Sequence, residues 1–285
     1  MLVIIGAIIV FGGVIAGFTM AGGQLAVLIQ ISEFVTIGGA TIGSLLIAAD
    51  ISTIKKMGAA IPRAIAGKHT SKLDSMELLK SFYDLFLIAQ RDGLLAIEKH
   101  IEKPQESEIL NRNKSFINNE VALSFFCDTL KVMLSGGVPP HELESLMEVE
   151  IDTFENEMAP IPGLLGQMAD ALPGLGIVAA VLGIIVTMGS INAGAEKVGH
   201  HVAAALVGTF LGVLLSYGFF NPIATNVRHL IEGDTRYLQT IKTAIVAYAK
   251  GNPPIVAAEI ARRTIFSDAR PSFTELESYL RGKRE

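Results

Sequence analysis

Apolar residues along this chain collect into long runs rather than short alternating ones. Two charge-free stretches, Ala171–Ala195 and Val202–Val227, follow each other with one short charged break, Glu196-Lys197, between them. A bilayer core takes about 20 apolar residues to cross as a helix. Each stretch is long enough, and the break is too short to be a domain, so the pair predicts a transmembrane helical hairpin. Pro173 and Pro222 stand at one end of each stretch and mark the same side of the membrane. A second hairpin is predicted at the N-terminus. Its first helix covers Leu2 to about Met20, and its second runs from about Val27 to Ala49. The turn Ala21-Gly22-Gly23-Gln24 joins them. Met1–Ser32 has no charged residue and therefore lacks the positive start of a secretory signal, so the first helix is expected to be retained. Small residues (Gly6, Gly12, Gly13, Gly17; Gly38, Gly39, Ala40, Gly43, Ser44) fit close helix approach in lipid.

Between the hairpins the pattern changes to a 3.6-residue period. Ser75–Ile101 carries apolar Leu78, Leu79, Phe82, Leu85, Phe86, Ile88 and Ala89 on one face and stops before Pro104. A helix over Asn119–Leu134 ends at Gly136-Gly137, and a third, acidic one runs from Pro139-Pro140 to about Met158. After Pro222 the helix continues to about Ala249, where Gly251-Asn252-Pro253-Pro254 breaks it. Ile255–Thr264 and Thr274–Leu280 complete the chain, the last helix capped by Ser272 or Thr274. There is no strand pattern. The predicted fold is an all-α integral membrane protein with four transmembrane helices. Its expected parts are a hairpin over 1–50 and a cytoplasmic helical domain over 51–167. A second hairpin covers 168–222, with spans over about 170–191 and 201–222, and cytoplasmic helices fill 223–285.

Charge sets the orientation. Lys55, Lys56, Arg63 and Lys68 follow the second span, and Arg228, Arg236 and Lys242 follow the fourth. The Gly22 turn has no basic residue and the other short loop only Lys197, so both termini and the middle region are expected in the cytoplasm. A net charge of −5 gives no broad basic surface and excludes nucleic acid as an expected partner. The single cysteine, Cys127, sits in an apolar context and reads as a buried thiol.

No enzyme chemistry is legible. Gly67-Lys68-His69-Thr70 lacks the leading glycine of a phosphate loop, because Pro62 stands there. The adjacent His200-His201 do not share a helix face, and no spaced Cys/His set exists, so neither metal nor cofactor is expected. The spans hold polar residues (Thr36, Thr41, Ser44, Thr187, Ser190, Thr209, Ser216, Tyr217) but no ionisable group at mid-membrane. Asp50 and Asp170 sit at the cytoplasmic boundary and Glu33 near the outer one. A proton-coupled protein needs a titratable group in its path. Either the chain conducts no ions, or a partner helix supplies the carboxylate.

L-P-G-L-G-I-V-A-A-V-L-G-I-I from Leu172, V-G-T-F-L-G-V-L-L-S-Y-G-F-F-N-P from Val207 and R-P-S-F-T-E-L-E from Arg270 resemble the MotA family of flagellar motor stator proteins. That family lies within the wider MotA/TolQ/ExbB proton-channel family. The resemblance covers nearly the whole chain. It implies an inner-membrane stator subunit that assembles as a pentamer around a single-span MotB-like partner. The partner would supply the ion-binding aspartate, protons would be the expected coupling ion, and torque would pass to the rotor protein FliG. By motif, Pro173, Pro222 and Thr209 match the ion pathway and its coupling, and Asp170 at the cytoplasmic boundary is grouped with them. Glu98 matches a rotor-facing glutamate. The family arginine falls on Arg91 or on the position of Gln90, and Arg91 lies seven residues, about two helical turns, before Glu98, so both are expected on one helix face. The alternative is an ExbB- or TolQ-like transducer driving an envelope protein; such relatives have three spans and lack the R-P-S-F segment.

Overall fold

The structure is a computed structural model that describes residues 2–67, 70–189, 192 and 194–282. Lys68, counted in the orientation argument, His69, Ser190 and the expected span limit at 191 lie outside the described residues. All described regular structure is helical, and four helices are long and apolar enough to cross a membrane. The chain forms two compact units. One takes residues 1–68 and 157–230, the other 69–156 and 231–285.

The first unit holds the spans. α1 (Leu2–Met20) has no buried residue, so its apolar surface is turned outward all round. A 3₁₀ turn (Leu25–Leu28) leads to α2 (Ile31–Ala48). α3 (Ile51–Ala66), which the hydrophobic pattern did not announce, begins at Asp50. The Asp50 carboxylate accepts hydrogen bonds from the backbone N–H groups of Ser52 and Thr53, which satisfies the free donors of a helix start. α3 buries Met57, Ala60 and Ala64 and sends Lys56 to Glu157 at 2.8 Å.

α9 (Pro160–Gly189) is a single helix, and Pro173 lies inside it rather than at its end. With no N–H at Pro173, the Ala169 carbonyl loses its helical donor. α10 (Ala195–Leu215) runs through a π-turn (Ser216–Phe220) into α11 (Asn221–Ala249). Pro222 stands just after the wide turn, where its missing N–H already withholds a helical bond.

α9 and α10 pack through glycines. A Cβ on Gly176 would lie 2.6 Å from the Gly208 carbonyl oxygen, and one on Gly212 2.5 Å from the Leu172 carbonyl oxygen. A Cβ on Gly183 would meet that of Ala205 at 2.8 Å. Ile37 of α2 joins Leu172, Ala179, Val207 and Leu211 in a small buried cluster beside this seam.

The second unit has a conventional core. Within it α4 (Lys72–Asp92) starts with a Ser71/Asp74 capping box and buries Leu78, Leu79, Phe82, Leu85 and Phe86. α5 (Glu98–Glu102), α6 (Lys114–Ile117) and α7 (Glu120–Ser135) follow, with α8 (Pro140–Met158) after them. The Phe82 and Phe126 rings stack at 4.9 Å, and Phe116 meets both edge-on. The Phe86 ring lies flat on Tyr248 of α11 at 4.3 Å. Such pairs add about 0.5–1.5 kcal/mol each beyond burial. α12 (Pro254–Arg262) packs on α4, and α13 (Phe273–Leu280) closes the unit with a Ser272/Glu275 capping box. Cys127 is buried, and burial pushes its thiol up to about 11, so it is inert at neutral pH.

Gly212→Ala places a methyl against a backbone carbonyl that has no rotamer to yield. The expected result is a loss of about 1–3 kcal/mol, read as a lower melting temperature in detergent. Gly174→Ala, with open space at its Cβ position, melts within about 0.5 kcal/mol of the parent.

Candidate functional site

The glycine seam positions Thr209, one of the residues expected in the ion pathway. Thr209 follows Gly208 directly, and its Cα lies 3.2 Å from the Cβ position of Gly176. Hydroxyls in spans usually bond the carbonyl four residues back. Thr41 does so to Ile37 at 2.7 Å and Thr187 to Gly183 at 2.7 Å. Among the described residues the half-buried Thr209 hydroxyl makes no such bond, so it keeps its hydrogen-bonding capacity. Pro173 is half-buried, whereas Pro222 and Asp170 are exposed.

One residue at this seam was given no role by the motif reading. Glu33, in the first turn of α2, is only 5% exposed, and its Oε2 has no hydrogen-bond partner. A Cβ on Gly208 would collide with that oxygen, and Ala179 closes in at 3.2 Å. Glycine at 208 is therefore what lets a carboxyl lie between α2, α9 and α10. The available signal was that Glu33 is the one acidic side chain inside the second apolar run.

The residues expected to meet the rotor sit differently from the expected single helix. Helix α4 ends at Asp92, Gly93 takes φ +88°, and a 3₁₀ turn (Leu94–Ile97) precedes α5, which Glu98 opens. A positive φ suits glycine because it has no Cβ to clash. Arg91 and Glu98 therefore do not share one helix face by a two-turn register. Both are exposed, as is Gln90. Arg91 holds Asp92 through two hydrogen bonds, at 2.9 and 2.7 Å, which draws the Asp92 carboxyl below its ordinary range.

The acidic α8 is only partly a solvated face. Glu144 bonds Lys250 at 2.7 Å and Glu148 bonds Lys242, so two of its carboxylates tie α8 to α11. No group of His, Cys, Asp and Glu able to hold a metal occurs among the described residues.

Comparison with known proteins agrees with this arrangement. The profile of the motility protein A N-terminal family matches residues 4–93, and that of the MotA/TolQ/ExbB proton channel family matches residues 117–240. The chain is 38% identical to the motility protein A of Salmonella typhimurium over all of its own length and 96% of that protein. It is 37% identical to the motility protein A of Escherichia coli, with 99% and 95% of the two chains covered. A solved chain of the Campylobacter jejuni MotAB complex superimposes with a TM-score of 0.78 at 19% identity, covering 95% of this chain and 98% of that one. A chain of the flagellar MotAB stator complex of Bacillus subtilis gives 0.70 at 23%, with 90% and 92% covered. Channel-family profiles, full-length relatives and four candidate spans converge: the chain is no enzyme and belongs to the MotA family of flagellar motor stator proteins, within the MotA/TolQ/ExbB proton channel family.

Proposed function

We propose that this chain is the membrane ring of a proton-driven stator, five copies surrounding the spans of a MotB-like partner that brings the ion-binding aspartate. The observation that carries the reading is the emptiness of the spans. Apart from Glu33, the described apolar segments 2–20, 25–48, 171–189 and 202–227 contain no Asp, Glu, Lys or Arg. A protein that moves protons with so few groups of its own draws the carrier from elsewhere. The partner-containing stator complexes of the two solved relatives support that division of labour. Pro173, Pro222 and Thr209, with Asp170 at the boundary, then act at the partner-facing seam. Both termini and the 69–156 region lie in the cytoplasm, where Arg91 and Glu98 meet charges on FliG.

The topology is tested with cysteines at Gly22 and at the exposed Glu106. An impermeant thiol reagent is expected to label the first in intact cells and the second only after permeabilisation. Labelling at 106 in intact cells would invert the orientation.

Thr209→Val removes a hydroxyl that makes no hydrogen bond among the described residues, so membrane levels of the protein are expected to stay at parental values while soft-agar swimming falls several-fold. Full motility in Thr209→Val would remove this residue from the pathway.

Exposed charge pairs contribute about 0.2–1 kcal/mol and are screened by salt. Neutralising Glu98 alone is thus expected to slow swimming only in part, and Glu98→Lys to slow it further. Reversal of a facing rotor charge should restore some motility to Glu98→Lys. A Glu98→Lys strain that swims like its parent at normal protein level would show that torque does not pass through this residue.

A further inference from the structure

The two hairpins do not end at the same level. Val10 of α1 comes within 3.0 Å of the Cβ position of Gly218, in the π-turn. From Val10 outward α1 climbs ten residues to Met20, a rise of about 15 Å. The same rise along the other helix leads from Gly218 back to Gly208. The turn after Met20 therefore stands level with Gly208, where Glu33 packs. Beyond that level α10 runs outward for thirteen residues, to its start at Ala195, and α9 for ten residues past Ala179, to Gly189. The Glu33 carboxyl thus lies about 15–20 Å inward of the outer ends of both helices. The outer stretch of α9 is apolar and exposed at Ile184, Ile185 and Met188, as suits the membrane interior. Against a core about 30 Å thick, Glu33 is deep in the membrane, not at the boundary that its place near the start of α2 suggested.

No charge meets the carboxyl there. The described apolar segments 2–20, 25–48, 171–189 and 202–227 hold no Lys, Arg or His. The segment leading into α2 brings only Gln24 and Gln30, and the Gln30 amide donates to the Val27 carbonyl at 3.0 Å. On the Gly208 face of α10 the nearest titratable group is His201, seven residues and about 10 Å further out, with His200, Lys197 and Glu196 beyond it. Glu33 Oε2 is buried and without a hydrogen-bond partner. An ionised carboxylate taken out of water with neither cation nor donor costs far more than the neutral acid.

We propose that Glu33 is a proton-binding site of this chain, a station on the ion path that takes a proton from the outer side and passes it inward at Thr209 toward the partner's aspartate. The proposal rests on the stator reading and adds a second carrier to it. At each passage the O–H bond of Glu33 breaks and one forms on the inward acceptor. A proton from outside then restores the neutral acid, and no electrons change hands. Three observations carry the proposal: the depth of the group, the absence of any partner for it, and its seat against the residue that precedes Thr209. Gly208 leaves that seat open, as a side chain there would fill it.

The test rests on Glu33→Gln, which keeps the size and shape of the neutral acid but has no proton to pass. The first measurement is infrared difference spectroscopy, parent minus variant, on the complex purified from native membranes near neutral pH. The carbonyl stretch of a protonated carboxylic acid is expected, displaced on exchange into D2O. Its absence would overturn proton binding at Glu33. The second is swimming speed against external pH. Glu33→Gln is expected at parental membrane levels yet several-fold slower, with Glu33→Asp restoring part of the speed. The deficit of Glu33→Gln should widen as external pH rises from about 6 to about 8, where proton capture from outside limits the flow. Parental swimming in Glu33→Gln, or a deficit that does not change with pH, would leave Glu33 a packing residue and overturn the station. A strain lacking the whole chain that still swims would instead fail the stator reading, and the infrared band alone then decides whether Glu33 binds a proton.

Discussion

The closest constraint in the molecule is the contact of two helix backbones. Where α9 meets α10, Gly176 and Gly212 leave no room for even one methyl group. In lipid, helices gain nothing from hiding apolar surface from one another, so close van der Waals fit carries the association. The same approach seats Thr209 at the seam and leaves the pocket beside Gly208 in which the Glu33 carboxyl lies. Loss of fit would therefore disturb stability and the proposed pathway together.

The second unit is held by a different balance of forces. Its core of phenylalanines and leucines is driven together by water, and its ion pairs sit at the rim. Lys242 is largely covered while Glu148 stays half-exposed, and Lys250 and Glu144 are both open to solvent. Pairs of that kind orient helices more than they stabilise them. The residues proposed to meet the rotor, Arg91 and Glu98, are exposed and stand free of its core.

The spans were legible because length and lack of charge are sufficient signals for a helix in a bilayer. The last cap was legible as Ser272 or Thr274, and the structure selects Ser272, whose side chain and that of Glu275 close a reciprocal pair of hydrogen bonds. Besides α3, three features were not legible. The Gly93 break hid because Leu94, Leu95 and Ile97 keep the chain apolar while the backbone turns through a positive φ. The interior position of Pro173 hid because a window of apolar residues reports where lipid-compatible sequence begins, and α9 starts thirteen residues earlier, at Pro160. The packing of Glu33 hid because a carboxylate near a span end reads as interfacial until a glycine on another helix is seen to make room for it.

The π-turn at Ser216–Phe220 has a consequence for everything that follows it. A widened turn accommodates about one extra residue, and each helical residue advances the chain by about 100° around the axis. The turn therefore sets the rotational phase of α11, deciding that Ala224, Val227 and Leu230 point inward and Thr225 and Arg228 outward. A helix of the same sequence without that widening would present a different set of side chains along its entire length, with no change in composition. The phase of a helix is usually fixed at its start; here it is fixed midway along a continuous run, at the boundary between a membrane span and its extension.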